Sequence, residues 1–302
     1  MRFLTYEYNG VEKIAILKCD EKTILDIDHL FTRMRGYTMT QFIEEVTDRE
    51  LEALSIAASE ELKKGPLLEK VNIKAPIVKP AHDIICVGVN YEDHLKESTM
   101  ALKDVTLENR SMPVYFSKRA IEIKGHKDEI VGRFDLDEAL DYEVELAVII
   151  GKEGRDISVE EAEDYIFGYS IFNDYSSRTL QKDHLQWFKG KSLDGYSVMG
   201  PYIVHKDEVN FPPQLALRTY VNGELRQDSH TKELIFDIAT LISDFSKGMT
   251  LVPGDIIATG TPSGVGMGFT PPKYLKSGDV VVCEIEGLGS LDNHVTSYIE
   301  KY

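Results

Sequence analysis

Cysteine is scarce: only Cys19, Cys86 and Cys283 occur in 302 residues. They are far apart, odd in number and form no CxxC pair, which speaks against a disulfide framework and a thiolate zinc site. No run of 18 apolar residues occurs, so no membrane-crossing helix is expected. The N-terminus, MRFLTYEYNG, lacks the apolar centre of a secretory signal. Basic residues are outnumbered, 34 Lys and Arg against 51 Asp and Glu, for a net charge of −17. Nucleic acid and anionic membranes both recruit basic patches, so neither is an expected partner. Also missing are a phosphate-binding GKS or GKT loop, a GxSxG elbow, and HxxxH or HExxH spacing. These absences set aside nucleotide-loop, serine-elbow and zinc chemistry and leave a cytoplasmic protein as the expectation. The sequon Asn109-Arg110-Ser111 has no meaning without secretion.

What is present is an ordinary globular composition, 42% hydrophobic and 28% charged, unlike that of an acidic disordered chain. At roughly 100–200 residues per domain the length suggests two units. Residues 1–75 read as a small one: RFLTYEY, EKIAILK and TILDID alternate like strands of an antiparallel sheet. A helix follows, with Asp48 as its cap, Leu51, Leu54, Ala58 and Leu62 at helical spacing, and Gly65-Pro66 as its stop. Residues 76–302 form the larger unit, rich in short strands such as PVYFSK, DYEVELAVIIG, YIFGYSIFND and DVVVCEIEG. Asn222-Gly223 marks a hairpin. Helices are few: one capped by Asn90, one opened by the capping box Ser158-x-x-Glu161, and one near Phe236–Phe245. Strands and helices do not alternate regularly, so the predicted class is α+β, predominantly β, with mixed sheets.

The unusual feature is where certain acids sit. In the stretch Asp141-Tyr-Glu-Val-Glu-Leu-Ala-Val-Ile-Ile150, strand alternation points Glu143 and Glu145 the same way. Beyond Leu146 the run is apolar on both faces, as in an interior strand. Two acids on an exposed edge strand would fit this segment equally well. A third acid, Asp174, ends another apolar strand and tips the balance. Three carboxylates in apolar company form a candidate hard-cation site for Mg²⁺ or Mn²⁺, with Ca²⁺ as a further candidate. His94 and Glu97 are three apart, so they share a helix face. Such a pair can be a surface ion pair or a general base oriented by a carboxylate. Arg178, Gln181 and Lys191 follow Asp174 and offer donors for an anion or oxyanion. The glycine-rich loop Ala258–Gly268, containing Thr261, suits close approach of backbone to a ligand.

Taken in order, these segments resemble the fumarylacetoacetate hydrolase superfamily, in particular its bacterial branch of acylpyruvases and hydroxyheptadienedioate isomerases. The resemblance rests on Gly88-Val-Asn-Tyr-x-x-His94-x-x-Glu97, Asp141-Tyr-Glu143-Val-Glu145, Asn173-Asp174-x-x-x-Arg178-x-x-Gln181, Gly190-Lys191-Ser, and Gly260-Thr261-Pro-x-Gly264. It covers roughly residues 80–302. It implies a mixed β-roll catalytic domain, usually a homodimer, with the small N-terminal segment packed on it. It implies Mg²⁺ or Mn²⁺ on Glu143, Glu145 and Asp174, His94–Glu97 as base dyad, Lys191 and Gln181 near the oxyanion, and Arg178 and Thr261 against the substrate. The sequence departs from many relatives at Thr179, Gly195 and Val198, and the connection from Glu97 to Pro113 is long.

The expected activity is metal-dependent hydrolysis of the C–C bond of a 2,4-dioxo acid, an acylpyruvate or fumarylpyruvate, through an enolate held on the ion. Oxaloacetate decarboxylation and hydroxydienedioate isomerisation or decarboxylation are alternatives on the same site. Hydrolysis of a keto-deoxy sugar acid, or metal binding without catalysis, ranks lower.

Overall fold

The computed structural model describes residues 1–59, 65–102 and 111–299, with side chains of 98–102 left aside. Leu62, Asn109-Arg110 and most of the connection between Glu97 and Pro113 therefore lie outside the described residues. The chain opens with β1 (Arg2–Tyr8), β2 (Val11–Leu17) and β3 (Ile24–Asp26), then α1 (Ile27–Leu30), α2 (Met39–Glu45) and α3 (Asp48–Ser59). Next come β4 (Asn72–Ile73), β5 (Ile84–Gly88), α4 (Glu92–Leu102), β6 (Val114–Lys118), β7 (Glu129–Gly132), β8 (Leu140–Asp141), β9 (Val144–Ile150) and β10 (Ile166–Asp174). They are followed by β11 (Ser176–Ser177), α5 (Arg178–Asp183), α6 (Phe188–Lys191) and β12 (Ser197–His205). The chain continues with β13 (Ala216–Val221), β14 (Glu224–His230), α7 (Ile238–Ser246), β15 (Ile256–Ala258), β16 (Val280–Ile285) and β17 (Gly289–Ser297).

A 10-stranded mixed sheet runs β3-β2-β1-β12-β10-β9-β15-β5-β6, with β4 beside β1. A five-stranded sheet, β14-β13-β16-β17-β7, packs on one of its faces. Strand alternation divides the core. Val144, Leu146 and Val148 of β9 face the five-stranded sheet with Leu217, Val281 and Leu291. Ala147 and Ile149 face the other way, with Phe172, Met199 and the N-terminal residues Phe42 and Leu54. The fold is thus α+β and mostly strand.

Local expectations meet four differences. The N-terminal strands do not stand alone: Arg2 and Phe3 of β1 pair with Val204 and Ile203 of β12, so they extend the large sheet. The cap of α3 is Thr47, whose hydroxyl accepts the Glu50 N–H while Glu50 returns a carboxylate to the Thr47 N–H. Asp48 is the first helical residue. Asn90 does not cap α4; its side chain bonds the main chain of Thr259 and Phe236, tying the helix entrance to distant segments. Ser158 and Glu161 do bond, but only a 3₁₀ turn at Ala162–Tyr165 follows, because the next residues are taken by β10. Cys19 is exposed, Cys86 and Cys283 are buried, and all three are free. No described helix is long and apolar enough to cross a membrane.

Candidate active site

The site forms where β9 and β10 meet. Their antiparallel register sets Glu145 opposite Phe172 and Val144 opposite Asn173. The Asp174 N–H then reaches the Glu143 carbonyl at 2.9 Å, and the Asn173 side chain accepts the Glu143 N–H. β9 is interrupted at 142–143, so Glu143 precedes the strand proper. Even so, carboxylate oxygens of Glu143, Glu145 and Asp174 lie within 4.8 Å of one another, all in buried residues.

Three buried cations face this cluster. Lys191 Nζ donates to Glu143 and Asp174, both at 2.8 Å. Arg178 reaches Glu143 at 2.7 Å and Asp141 at 2.9 Å. Lys118, fully buried, donates to Asp174 and to the carbonyls of Tyr175 and Tyr196. Burial alone would raise the Glu143 carboxyl, but Lys191 and Arg178 outweigh it and hold the group below its ordinary range. Glu145 goes the other way. Burial, then the charges of Asp174 and Glu143, push its pKa well up, against which it receives the Gly260 N–H at 2.9 Å. With all four buried acids ionised (Asp141, Glu143, Glu145, Asp174), the three buried cations leave one negative charge uncompensated, which is why Glu145 is driven toward its neutral form without a further cation. The donor set is therefore all oxygen, crowded and short of positive charge, which fits a hard divalent ion.

The helix α4 brings the imidazole. His94 is buried, and its Nδ1 lies 2.9 Å from Glu97. Glu97 in turn accepts the Gly264 N–H at 3.0 Å, and a side chain at Gly268 would collide with its carboxylate. The glycine-rich loop thus approaches protein carboxylates: Gly260 serves Glu145, Gly264 serves Glu97, and Gly266 and Met267 serve Asp141. Thr261 is held by Gln227, which also bonds the Val144 N–H and Thr219.

His94, Glu143, Glu145, Arg178, Gln181, Lys191 and Thr261 all line one cavity of about 20 Å³. Larger grooves, of about 770 and 790 Å³, lie against the N-terminal strands and helices and contain none of these residues. Val89, on the cavity wall, has φ +47°, a strained conformation for a β-branched residue of the kind that collects at functional sites. Gly195 has φ +82°, a backbone conformation that glycine adopts without strain. Val198 pairs with Asn173 in the sheet.

Sequence reasoning missed Lys118 and Asp141. Lys118 ends a short strand and reads as a surface lysine. Asp141 was in view but had no assigned partner, because its partners lie 37 and 125 residues away.

The family profile described as "Fumarylacetoacetate (FAA) hydrolase C-terminal" matches residues 83–296. An oxaloacetate tautomerase of Bacillus subtilis is 50% identical over 228 residues, 76% of this chain and 74% of that protein. The structure of a fumarylacetoacetate hydrolase from Exiguobacterium antarcticum superposes with a TM-score of 0.82 at 38% identity, covering 99% of this chain and 100% of the other. A maleylpyruvate hydrolase from Sphingobium sp. SYK-6, solved with manganese(II) and pyruvate, gives a TM-score of 0.77 at 28% identity and the same coverage.

Proposed function

This chain belongs to the fumarylacetoacetate hydrolase family, and from that membership and its site geometry we propose that it moves a proton at C3 of a 2-oxo acid, interconverting keto and enol forms of an oxaloacetate-like substrate. The observation that carries the reading is that His94, paired with Glu97, lines the same cavity as Glu143 and Glu145, two members of a buried carboxylate trio.

Glu143, Glu145 and Asp174 would hold a divalent cation, Mg²⁺ or Mn²⁺, with Ca²⁺ a poorer third candidate. When bound, that ion polarises the 2-oxo group and acidifies the neighbouring C–H. The remaining work falls to the chain. Glu97 fixes the His94 tautomer by engaging Nδ1, so Nε2 is the nitrogen that takes and returns the C3 proton. Arg178 and Lys191 supply positive charge for the substrate carboxylate and the developing enolate oxygen, and Gln181 a hydrogen bond. The one uncompensated negative charge becomes a net positive charge when a divalent ion is added. That sign suits an anionic substrate. The 50% identical tautomerase supports this substrate class.

Hydrolysis of an acylpyruvate, the first expectation from sequence, becomes the second reading. The same dyad could activate water, and the maleylpyruvate hydrolase neighbour supports it at lower identity. We carry a homodimer forward as part of the proposal, to be checked by light scattering.

The deciding assay follows enol absorbance of oxaloacetate, acetylpyruvate and maleylpyruvate with Mg²⁺ or Mn²⁺ and quantifies products. Faster keto–enol equilibration with oxaloacetate conserved is expected. Stoichiometric pyruvate and CO₂ would mark a decarboxylase, and cleavage of the acylpyruvates into two acids a hydrolase. Either result without tautomerisation overturns the first reading.

A further inference from the structure

The cavity of about 20 Å³ has room for an ion or about one water, not for a four-carbon acid. One wall must give way when substrate enters, and most of the lining is tied down. Glu143, Arg178 and Lys191 hold one another. Thr261 is fixed by Gln227. Val87 and Gly88 belong to β5, which is paired with β6 and β15.

The Trp187 side chain carries no such polar tie. No hydrogen bond among the described residues holds its indole N–H. The ring rests on Gly88, where any Cβ would collide with it, and stands edge-on to Phe116 with centroids 5.2 Å apart. The segment before it is weakly anchored: Leu185 has φ +60° and is 85% exposed. The Trp187 carbonyl accepts the Lys191 N–H at 3.0 Å, across the single turn of α6. Lys191 Nζ also lies 5.2 Å from the centre of the Phe116 ring. One helical turn and one aromatic ring therefore connect this loosely held indole to the lysine that bridges Glu143 and Asp174.

We propose that Trp187 is the specificity-determining wall of the site: its indole fills the space needed by the group beyond C3 and is displaced when substrate binds. The proposal rests on the 2-oxo-acid reading above. It predicts that substrate size is selected at Trp187, with the carboxylate trio unaffected.

Because this is the only tryptophan in the chain, its emission reports on the wall directly. The full-length protein with saturating Mg²⁺ is titrated with 3,3-difluorooxaloacetate, an oxaloacetate analogue that keeps the group beyond C3 but has no C3 proton to move, while calorimetry follows binding. A saturable shift in emission that tracks the calorimetric curve is expected. In parallel, Trp187→Phe and Trp187→Ala are assayed on maleylpyruvate and oxaloacetate. The kcat/KM ratio of the larger to the smaller substrate should rise at least tenfold in the alanine variant and less in the phenylalanine variant, with Mg²⁺ affinity within twofold of wild type. Binding of the difluoro analogue without an emission change, or a ratio within twofold in both variants, overturns the assignment. If the wild type turns over neither substrate, the functional reading fails while the fluorescence still decides the role of Trp187. Absence of binding by the difluoro analogue overturns both.

Discussion

Among the described residues, two acidic clusters have the residue types of a cation site, and they differ in what surrounds them. Asp26, Asp28 and His29 gather at the N-terminal edge of the large sheet; Glu143, Glu145 and Asp174 gather at its centre. At the edge, only Asp26 is buried, and it is already served by the Tyr6 hydroxyl at 2.6 Å and Lys13 at 2.7 Å. His29 is exposed and Asp28 half-buried. At the centre all three acids are buried, and one of them, Glu145, is pushed toward its protonated form by its surroundings. At the edge the one buried acid, Asp26, has its partners, and only a single oxygen of Asp28 lacks one, whereas the central cluster crowds three buried carboxylates whose mutual repulsion a divalent ion would relieve. Burial combined with like-charge crowding separates the two; residue type alone does not.

Substitution breaks the comparison most directly. Glu143→Gln or Asp174→Asn should lower metal-dependent kcat by at least about a thousandfold, while Asp26→Asn stays within about twofold; equal losses would erase the distinction. His94→Gln should cost about 10²–10⁴ in kcat, the usual range for a general base, with Mg²⁺ affinity measured by calorimetry little changed. Chelation followed by Mg²⁺ or Mn²⁺ return sharpens the contrast through stability. An ion at 100 times its Kd adds about 2.7 kcal/mol, seen as a rise in melting temperature that Asp26→Asn retains and Glu143→Gln loses. Asp26→Ala should instead cost about 1–3 kcal/mol in denaturant unfolding, since it strands the Tyr6 hydroxyl and unpairs Lys13.

The smallest effect concerns His205, where the N-terminal strand joins the sheet. It is buried against Phe3 and Phe167, and burial lowers its pKa beyond what Asp207 and Glu208 restore against the N-terminal ammonium and Lys206. The folded state favours the neutral ring. Its contribution is therefore complete above the ordinary value of about 6.5 and is lost as pH falls through that value toward the lower folded one. The slope from one proton cannot exceed about 1.4 kcal/mol per pH unit. Unfolding curves of wild type and His205→Gln between pH 7.5 and 5 should converge as pH falls; parallel curves would remove His205 from the account.

Much of the central cluster was legible because it obeys local periodicity. Strand alternation anticipates Glu143 and Glu145 on one side, although Glu143 lies just before β9, and helical spacing puts His94 beside Glu97; His94, Glu143 and Glu145 line one cavity. What could not be read was every contact set by chain segments distant in sequence. Lys118 reaches Asp174 across 56 residues, and Asn90 looked like a helix cap because its true partners are 146 and 169 residues away. The continuity of β1 with β12 was hidden for the same reason. An alternating strand announces that it belongs to a sheet but not which neighbour it will pair with.

The loop Ala258–Gly268 holds Glu145, Glu97 and Asp141 through main-chain N–H groups. Three of the donor amides belong to glycines whose Cβ would meet Asn90, the Arg226 carbonyl or Asp141, so alanine at Gly260, Gly264 or Gly266 would push the loop off the groups it holds. The wiring of base and ligands is thus written in the course of the backbone, at positions where even a methyl group is too much.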